Sequence, residues 1–114
     1  MKKVFLVFII SSAMFACSEA TEIPAEFIPK DKMVQVLIDV HLAESTVSSR
    51  NMPQDSAAVL YKMYENQIFQ KHGVTDSLYR KSYKWYIENV EVMDDVYEEV
   101  VDSLSLREAR GITE

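Results

Sequence analysis

The sequence predicts an all-α protein, a small bundle of about four helices that follows a signal peptide and a flexible tether. Three observations lead to this fold class: the 114 residues include only two glycines, apolar residues recur at three- and four-residue spacing, and no stretch alternates as a half-buried strand would. We assign residues 1–16 to the signal peptide, 17–30 to the tether, 31–107 to the helical domain and 108–114 to a C-terminal tail. The domain is large enough for one core.

Residues 1–16 have the order of a bacterial lipoprotein signal. Two lysines precede an unbroken apolar run at residues 4–10, and the segment Ser-Ser-Ala-Met-Phe-Ala at 11–16 follows before Cys17, the only cysteine. The run is shorter than the roughly 20 residues that span a bilayer. We therefore expect cleavage before Cys17 and lipidation of its thiol, which would anchor the protein in a membrane. The alternative is an ordinary signal peptide cut after Ala16 or Ala20.

The charge of the exported part limits its partners. Removing residues 1–16 takes away two of the twelve Lys and Arg residues and none of the eighteen Asp and Glu residues, so the remaining 98 residues carry −8. Nucleic-acid binding needs clustered cations that neutralise phosphates, and this sequence has none. We expect no nucleic-acid partner and membrane contact through the lipid alone.

The residue after the lipidation site bears on location. Ser18 stands where an aspartate commonly retains lipoproteins at the inner membrane, so we expect the outer membrane. Whether the protein faces the periplasm or the cell surface does not follow from the sequence.

Helix signals divide the body into segments. We expect the first helix to use Asp31 as its N-cap and to run to about Ser48, and the second to begin at Gln54 or Asp55 and to end at Gly73. The apolar faces at helical spacing are Met33, Val36, Leu37, Val40, Ala43 and Val47 in the first helix, and Leu60, Met63, Tyr64, Ile68 and Phe69 in the second.

The order of charged residues, and not the spacing of apolar ones, predicts a break between the last two helices. Thr75 or Asp76 caps a third helix, and the apolar spacing continues without interruption to Leu104. One continuous helix would have cations near its positive end and anions near its negative end. A break near Asn89, with that residue capping a fourth helix, removes most of this conflict. The resulting core would be rich in tyrosine and methionine.

One pair of residues could bind a metal ion. His41 and Glu44 lie three residues apart and are neighbours on one helix face, whereas Asp39 points about 160° away from His41. His72 could complete such a site only through tertiary packing. The more common arrangement is a histidine hydrogen-bonded between helices, so we expect no metal and no cofactor.

Acidic and aromatic residues offer candidate contact surfaces. The acidic residues of the fourth helix lie opposite its apolar stripe, where they form either a solvated face or a docking surface for a basic partner. Tyr79, Tyr83 and Tyr86 form either core or an aromatic platform for a sugar or peptide. Trp85 is one residue off their line, so it either widens the buried stripe or marks an exposed contact. The candidate interaction surface therefore consists of Trp85, Asp94, Asp95, Glu98 and Glu99.

The sequence resembles a known family over nearly all of the exported chain. The segments at residues 28–33 and 37–44, the run Ile-Phe-Gln-Lys-His-Gly-Val-Thr at 68–75, and Ser82 followed by Trp85 and Tyr86 resemble small lipoproteins of Bacteroidota that carry a domain of unknown function, number 4296. The resemblance implies a helical, lipid-anchored envelope protein and supplies no catalytic residues.

These observations lead to one hypothesis and one alternative. No phosphate-binding glycine loop, nucleophile elbow or cluster of cysteines and histidines occurs in the sequence, so we do not expect an enzyme. We expect a lipid-anchored, non-catalytic module that binds a protein partner. The alternative is an envelope protein that binds a small ligand or a metal ion through His41, Glu44 and His72.

Overall fold

A computed structural model describes residues 21–111 as a bundle of four α-helices, which confirms the predicted fold class. The helices are α1 (Lys30–Ser49), α2 (Gln54–His72), α3 (Asp76–Glu88) and α4 (Val90–Ala109). Every regular element in this part of the chain is helical. None of these four helices is long and apolar enough to cross a membrane.

The helix α1 lies at the centre of the bundle and packs against both α2 and α4. It is buried on more than one side, as expected for a helix that has neighbours on several sides. Its buried residues are Met33, Val34, Val36, Leu37, Ile38, Val40 and Ala43.

The core consists mainly of branched aliphatic residues, so the expectation of a core rich in tyrosine is wrong. Of the six tyrosines, only Tyr86 is fully buried. Four others, Tyr64, Tyr79, Tyr83 and Tyr97, lie at the edge of the core, where a phenol can pack its ring and still present its hydroxyl to water. Met63, which we assigned to the apolar face of α2, is also largely exposed.

The predicted end of α2 and start of α3 are confirmed. Gly73 adopts the left-handed conformation with φ 65°, and its N–H donates to the carbonyl of Gln70. The Thr75 hydroxyl accepts a hydrogen bond of 3.1 Å from the N–H of Leu78.

The predicted cap of α1 is wrong. Pro29 holds the N-cap position, and its carbonyl accepts the first helical hydrogen bond from Met33 at 2.9 Å. Asp31 lies inside the first turn, where its charge still favours the positive helix end.

The break between α3 and α4 occurs at Asn89, as charge placement predicted, but the role of this side chain differs from the prediction. Asn89 has φ −114° and ψ 73°, outside the helical range. Its Nδ2 donates to the carbonyl of Trp85 at 2.8 Å, and its side chain makes no cap hydrogen bond to α4. Asn89 therefore holds the N-cap position of α4, where its carbonyl accepts from the N–H of Met93 at 3.1 Å, while its side chain closes α3.

The segment before α1 is packed onto α3, and we call residues 23–28 the strap. Ile28 is only 1 % exposed. Its N–H donates to the Ser82 hydroxyl at 2.9 Å, and its carbonyl accepts from the Tyr86 hydroxyl at 2.8 Å. Both main-chain groups of a buried residue are thus satisfied by side chains of α3.

Aromatic and charged contacts extend the strap along α3. The ring of Phe27 stacks on that of Trp85 with centroids 5.5 Å apart. Lys81 forms an ion pair of 2.8 Å with Glu26 and also lies over the Phe27 ring at 5.3 Å. The prediction of a flexible tether over residues 17–30 is therefore wrong for residues 23–28, which belong to the folded domain.

Candidate functional site

An open groove of about 410 Å³ lies among the four helices, and we call it the tyrosine groove. Every helix contributes to it, and α3 supplies one whole wall. Its volume falls within the range of ordinary ligand pockets. The lining residues are Leu37, Val40, His41 and Glu44 of α1, Tyr61 of α2, Tyr79, Arg80, Tyr83, Lys84 and Ile87 of α3, and Tyr97 of α4.

Four phenol rings give the groove its character. The rings of Tyr79 and Tyr83, one turn apart on α3, are stacked with centroids 5.9 Å apart. Tyr79 also packs on Phe69 of the core at 4.8 Å, which holds the back of the groove in place. Tyr61 and Tyr97 approach from α2 and α4. The groove is thus lined by rigid rings that also carry hydrogen-bonding hydroxyls.

Tyr61, Tyr79 and Tyr97 keep their phenol protons at physiological pH, because the pKa of each is raised above its ordinary value. Burial raises the pKa of Tyr79 and raises that of Tyr97 to about 12, where a hydrogen bond with Tyr83 and the charge of Glu44 act in the same direction. Burial also raises the pKa of Tyr61, with help from the carboxylates of Glu44 and Glu65. Each of these hydroxyls can therefore donate one hydrogen bond and accept others.

The pair His41 and Glu44, expected from the sequence to share a helix face, lies at the rim of the groove. His41 Nδ1 and Glu44 Oε2 are 3.3 Å apart, and both side chains are partly exposed. The imidazole also lies beside Tyr97, with ring centroids 6.0 Å apart. This geometry supplies polar groups to a ligand in the groove.

Cations lie on the opposite wall. Arg80 Nε lies 3.1 Å from both carboxylate oxygens of Asp76, one turn earlier on α3, and its guanidinium also lies 3.8 Å from Glu65 of α2. Glu65 is nearly buried and also pairs with Lys62 at 3.0 Å. These contacts tie α3 to α2 and fix Arg80 at the rim, while Lys84 is exposed.

The structure does not bring His72 to His41 and Glu44, so the three-residue metal site is wrong. His72 Nε2 donates to Asp39 at 2.7 Å, and Lys71 binds the same carboxylate oxygen at 2.9 Å. Asp39 and His41 face different sides of α1, as their helical spacing requires. Within residues 21–111 no three His, Cys, Asp or Glu side chains are arranged to hold a metal ion.

The candidate interaction surface divides into two parts. Trp85 is half-buried against Phe27 of the strap and meets Tyr86 edge-on at 5.3 Å, so it serves the fold. The acidic residues of α4 are exposed opposite its buried side, and Glu99 pairs with Lys30 at 2.9 Å. The exposed set is Asp94, Asp95, Glu98 and Glu99. Cys17 lies outside the described residues.

Part of the groove is predictable from the sequence. Tyr79 and Tyr83 belong to the predicted aromatic platform, but the sequence does not mark Tyr61, Lys84 and Ile87 as site residues. One available signal was that Ile87 and Tyr83 are one turn apart and continue the line of Tyr79 on α3. Nothing local marks Tyr61, which joins the groove only because α2 packs against α1.

Comparison with known proteins identifies a family. No curated protein and no solved structure matches the chain. A family model described as a domain of unknown function, DUF4296, matches residues 24–110, from the strap to the end of α4. Because this match covers well over half of the 114 residues, the chain belongs to the DUF4296 family.

Proposed function

We propose that this protein is a lipid-anchored module of the bacterial cell envelope that binds a partner protein and carries out no catalysis. Its anchor is Cys17, its membrane is the outer membrane, and its binding site is the tyrosine groove. The observation that carries the proposal is the groove itself, where all four helices present hydrogen-bonding side chains to an open space of about 410 Å³.

The residues that line the groove are of the kinds that proteins use to bind one another, which favours a binding role over a purely structural one. Tyrosine and arginine are enriched where proteins meet, because flat aromatic rings and guanidinium groups supply contact area and hydrogen bonds together. The groove holds four tyrosines and one arginine, and Ile87 beside them is 49 % exposed. A side chain this apolar gains free energy when a partner removes it from water.

The anchor is supported by the order of the first seventeen residues. Two lysines, an apolar run and a segment with four small residues among six precede the single cysteine. Two or more acyl chains on Cys17 would give stable membrane attachment, since each buried methylene contributes about 0.8 kcal/mol.

Metabolic labelling tests the anchor. Cells grown with an alkyne-tagged palmitate should yield the labelled protein in the outer-membrane fraction, and Cys17→Ser should abolish both the label and the membrane fraction. An unlabelled protein released to the soluble fraction in both forms would overturn the anchor and support the ordinary signal peptide.

Crosslinking in cells tests the binding role. A photoreactive residue introduced at position 87 should capture a defined protein, whereas the same residue at position 59 on the exposed side of α2 should not. If position 87 captures nothing while the protein is abundant, the binding proposal fails.

The groove also favours a second candidate, the small-ligand alternative from the sequence. His41 and Glu44 remain available for it, whereas His72 does not. Metal analysis of the purified protein with a His41→Ala control separates this candidate from the first, because a stoichiometric metal lost in the variant would support ligand binding by this pair.

A further inference from the structure

We propose that two copies of this chain exchange their α4 helices and form a dimer in which α3 and α4 of each copy become one continuous helix. This inference goes beyond the proposed binding of a partner protein and does not depend on it. The observations that carry it are the short joint between α3 and α4 and the order of charged and apolar residues on either side of that joint.

The joint between α3 and α4 consists of a single residue, Asn89. Its N–H donates to the carbonyl of Trp85 at 3.1 Å, and its carbonyl accepts from the N–H of Met93 at 3.1 Å. Both bonds have the four-residue spacing of an α-helix. A change in the backbone angles of this residue would therefore straighten the joint and let the N–H groups of residues 90–92 bond to the carbonyls of residues 86–88. A short hinge of this kind is a place where proteins exchange an element between copies.

Exchange at Asn89 fixes how the two copies meet. In each copy the strap stays with α1, α2 and α3, and α4 packs on α1 of the other copy in place of that copy's own α4. The two straightened helices, residues 76–109 and about 50 Å long, therefore run between the same two bodies in opposite directions. A two-fold axis passes beside the two Asn89 residues, so positions equally far from residue 89 on opposite sides of it face each other. Each tyrosine groove of the dimer would receive Tyr97 from the other copy.

The charges around Asn89 suit this antiparallel crossing. Lys84 lies five residues before Asn89 and Asp94 five residues after it, so the cation of one copy faces the carboxylate of the other. Both side chains are exposed, and neither forms an ion pair within the described part of the chain. Arg80 and Glu98 likewise lie nine residues before and nine residues after the joint. The charge order that disfavours one straight helix in a single copy is thus complementary in a pair of copies.

Two exposed apolar side chains lie at the same joint. Ile87 is 49 % exposed and Val90 is 61 % exposed, and they stand on either side of Asn89. In a continuous helix they are three residues apart and share a face with Asp94, so the crossing of two copies would cover them together. In the dimer, removal of these side chains from water adds to the attraction between Lys84 and Asp94.

Chemical crosslinking of the full lipidated protein in detergent micelles tests the exchange. Natural and isotopically heavy protein are mixed in equal amounts in urea, refolded together and treated with a carbodiimide, which joins a contacting lysine and carboxylate. Lys30 and Glu99 connect α1 to α4 at 2.9 Å, and Lys81 and Glu26 connect α3 to the strap at 2.8 Å. In exchanged dimers about half of the Lys30–Glu99 crosslinks should combine the two isotopes, whereas each Lys81–Glu26 crosslink should contain one isotope only.

Variants at the joint test the mechanism. Val90→Pro fits the first position of α4 in the single copy, but in a straight helix its ring clashes with the carbonyl of residue 86, so the mixed Lys30–Glu99 crosslinks should fall at least tenfold. Lys84→Glu places like charges together and should lower them about threefold. Adding Asp94→Lys to that variant should restore them. Circular dichroism checks that each variant is folded, and the charge variants keep the test valid if Val90→Pro is not.

Three results would overturn the inference. Lys30–Glu99 crosslinks that never combine the isotopes would show that α4 stays in its own chain. Mixed isotopes in both crosslinks would place the exchange at the loop before α3 or show random contact between copies. An unchanged mixed fraction in folded Val90→Pro would show that no straight helix forms. The partner proposal stands or falls separately, because it requires capture from position 87 of a protein other than this chain.

Discussion

At the scale of single residues, Tyr86 has the most demanding position in the fold. It is fully buried, and its hydroxyl donates to the carbonyl of Ile28 at 2.8 Å. Burial raises its pKa to about 12, so the proton that makes this bond is always present. A polar group on a tyrosine is tolerated here because it meets a main-chain acceptor that is buried as well.

Tyr86→Phe should therefore destabilise the protein. The change removes one hydroxyl and leaves the buried carbonyl of Ile28 without its partner, which costs about 1–3 kcal/mol. Urea unfolding monitored by circular dichroism measures this loss. The control is Tyr64→Phe, whose hydroxyl makes only a long contact of 3.4 Å with exposed Arg50 and should change the unfolding free energy by less than about 0.5 kcal/mol. Equal small losses would contradict the role of Tyr86.

Asp39 links α1 to the end of α2 in a way that depends on pH. Burial raises the pKa of Asp39, but hydrogen bonds from Lys71 and His72 outweigh it and hold the pKa below its usual range. A folded pKa below the unfolded value of about 3.9 gives stability that is present above that value and is lost as the pH falls through the folded pKa.

Asp39→Asn should thus cost about 1 kcal/mol near neutral pH, since the pair is only partly buried. The difference in unfolding free energy between the natural protein and this variant should shrink as the pH falls below about 4, where the Asp39 carboxylate becomes protonated. Urea titrations at a series of pH values provide the measurement. A difference that persists unchanged at pH 3 would show that the carboxylate charge does not matter.

At the scale of elements, sequence signals that act within a few residues predicted the end of α2, the start of α3 and the break between α3 and α4. Glycine at 73, threonine at 75 and the reversal of charge around Asn89 each act within a few residues, so the sequence alone reveals them. The N-cap of α1 is predicted two residues late, at Asp31, because Pro29 begins the helix through its carbonyl and fixed φ of −64°, without any side-chain cap.

The break between α3 and α4 can be tested with proline. Val90 is the first residue of α4 and is 61 % exposed, so Val90→Pro removes no essential hydrogen bond and should change the unfolding free energy by less than about 1 kcal/mol. Asp94→Pro, at an exposed site one turn inside the same helix, should cost about 3 kcal/mol. Thermal or urea unfolding compares the two. If both prolines cost the same, α3 and α4 would behave as one continuous helix.

At the scale of the whole molecule, the sequence predicted the helical bundle but not the contacts between its helices or between the strap and α3. The groove combines residues of all four helices, from Leu37 to Tyr97, so it forms only when the helices pack together. The strap is held in part by the main-chain groups of Ile28, whose hydrogen bonds to Ser82 and Tyr86 no pattern of side chains reveals. The periodicity of apolar residues identifies the buried face of one helix at a time, so it cannot predict which residues of different segments come into contact.

The extent of the domain gives a further prediction. A chain that begins at Ile23 retains the strap and should unfold at nearly the same temperature as the full protein. A chain that begins at Lys30 loses a buried isoleucine and leaves Ser82 and Tyr86 without partners, so we expect a loss of about 3 kcal/mol. This is a large share of the 5–15 kcal/mol that stabilises an ordinary domain. Similar melting curves for the two chains would show that the strap is dispensable.

The position of the strap also has a mechanical consequence. With a lipid on Cys17, any pull between the membrane and a bound partner passes through six residues, at most about 20 Å of chain, into the strap. The force then enters α3 beside Trp85, on the helix that also forms a wall of the tyrosine groove. The strap would thus transmit the tension between the lipid anchor and the domain, and the force at which it detaches from α3 would limit how firmly a partner could be held at the membrane.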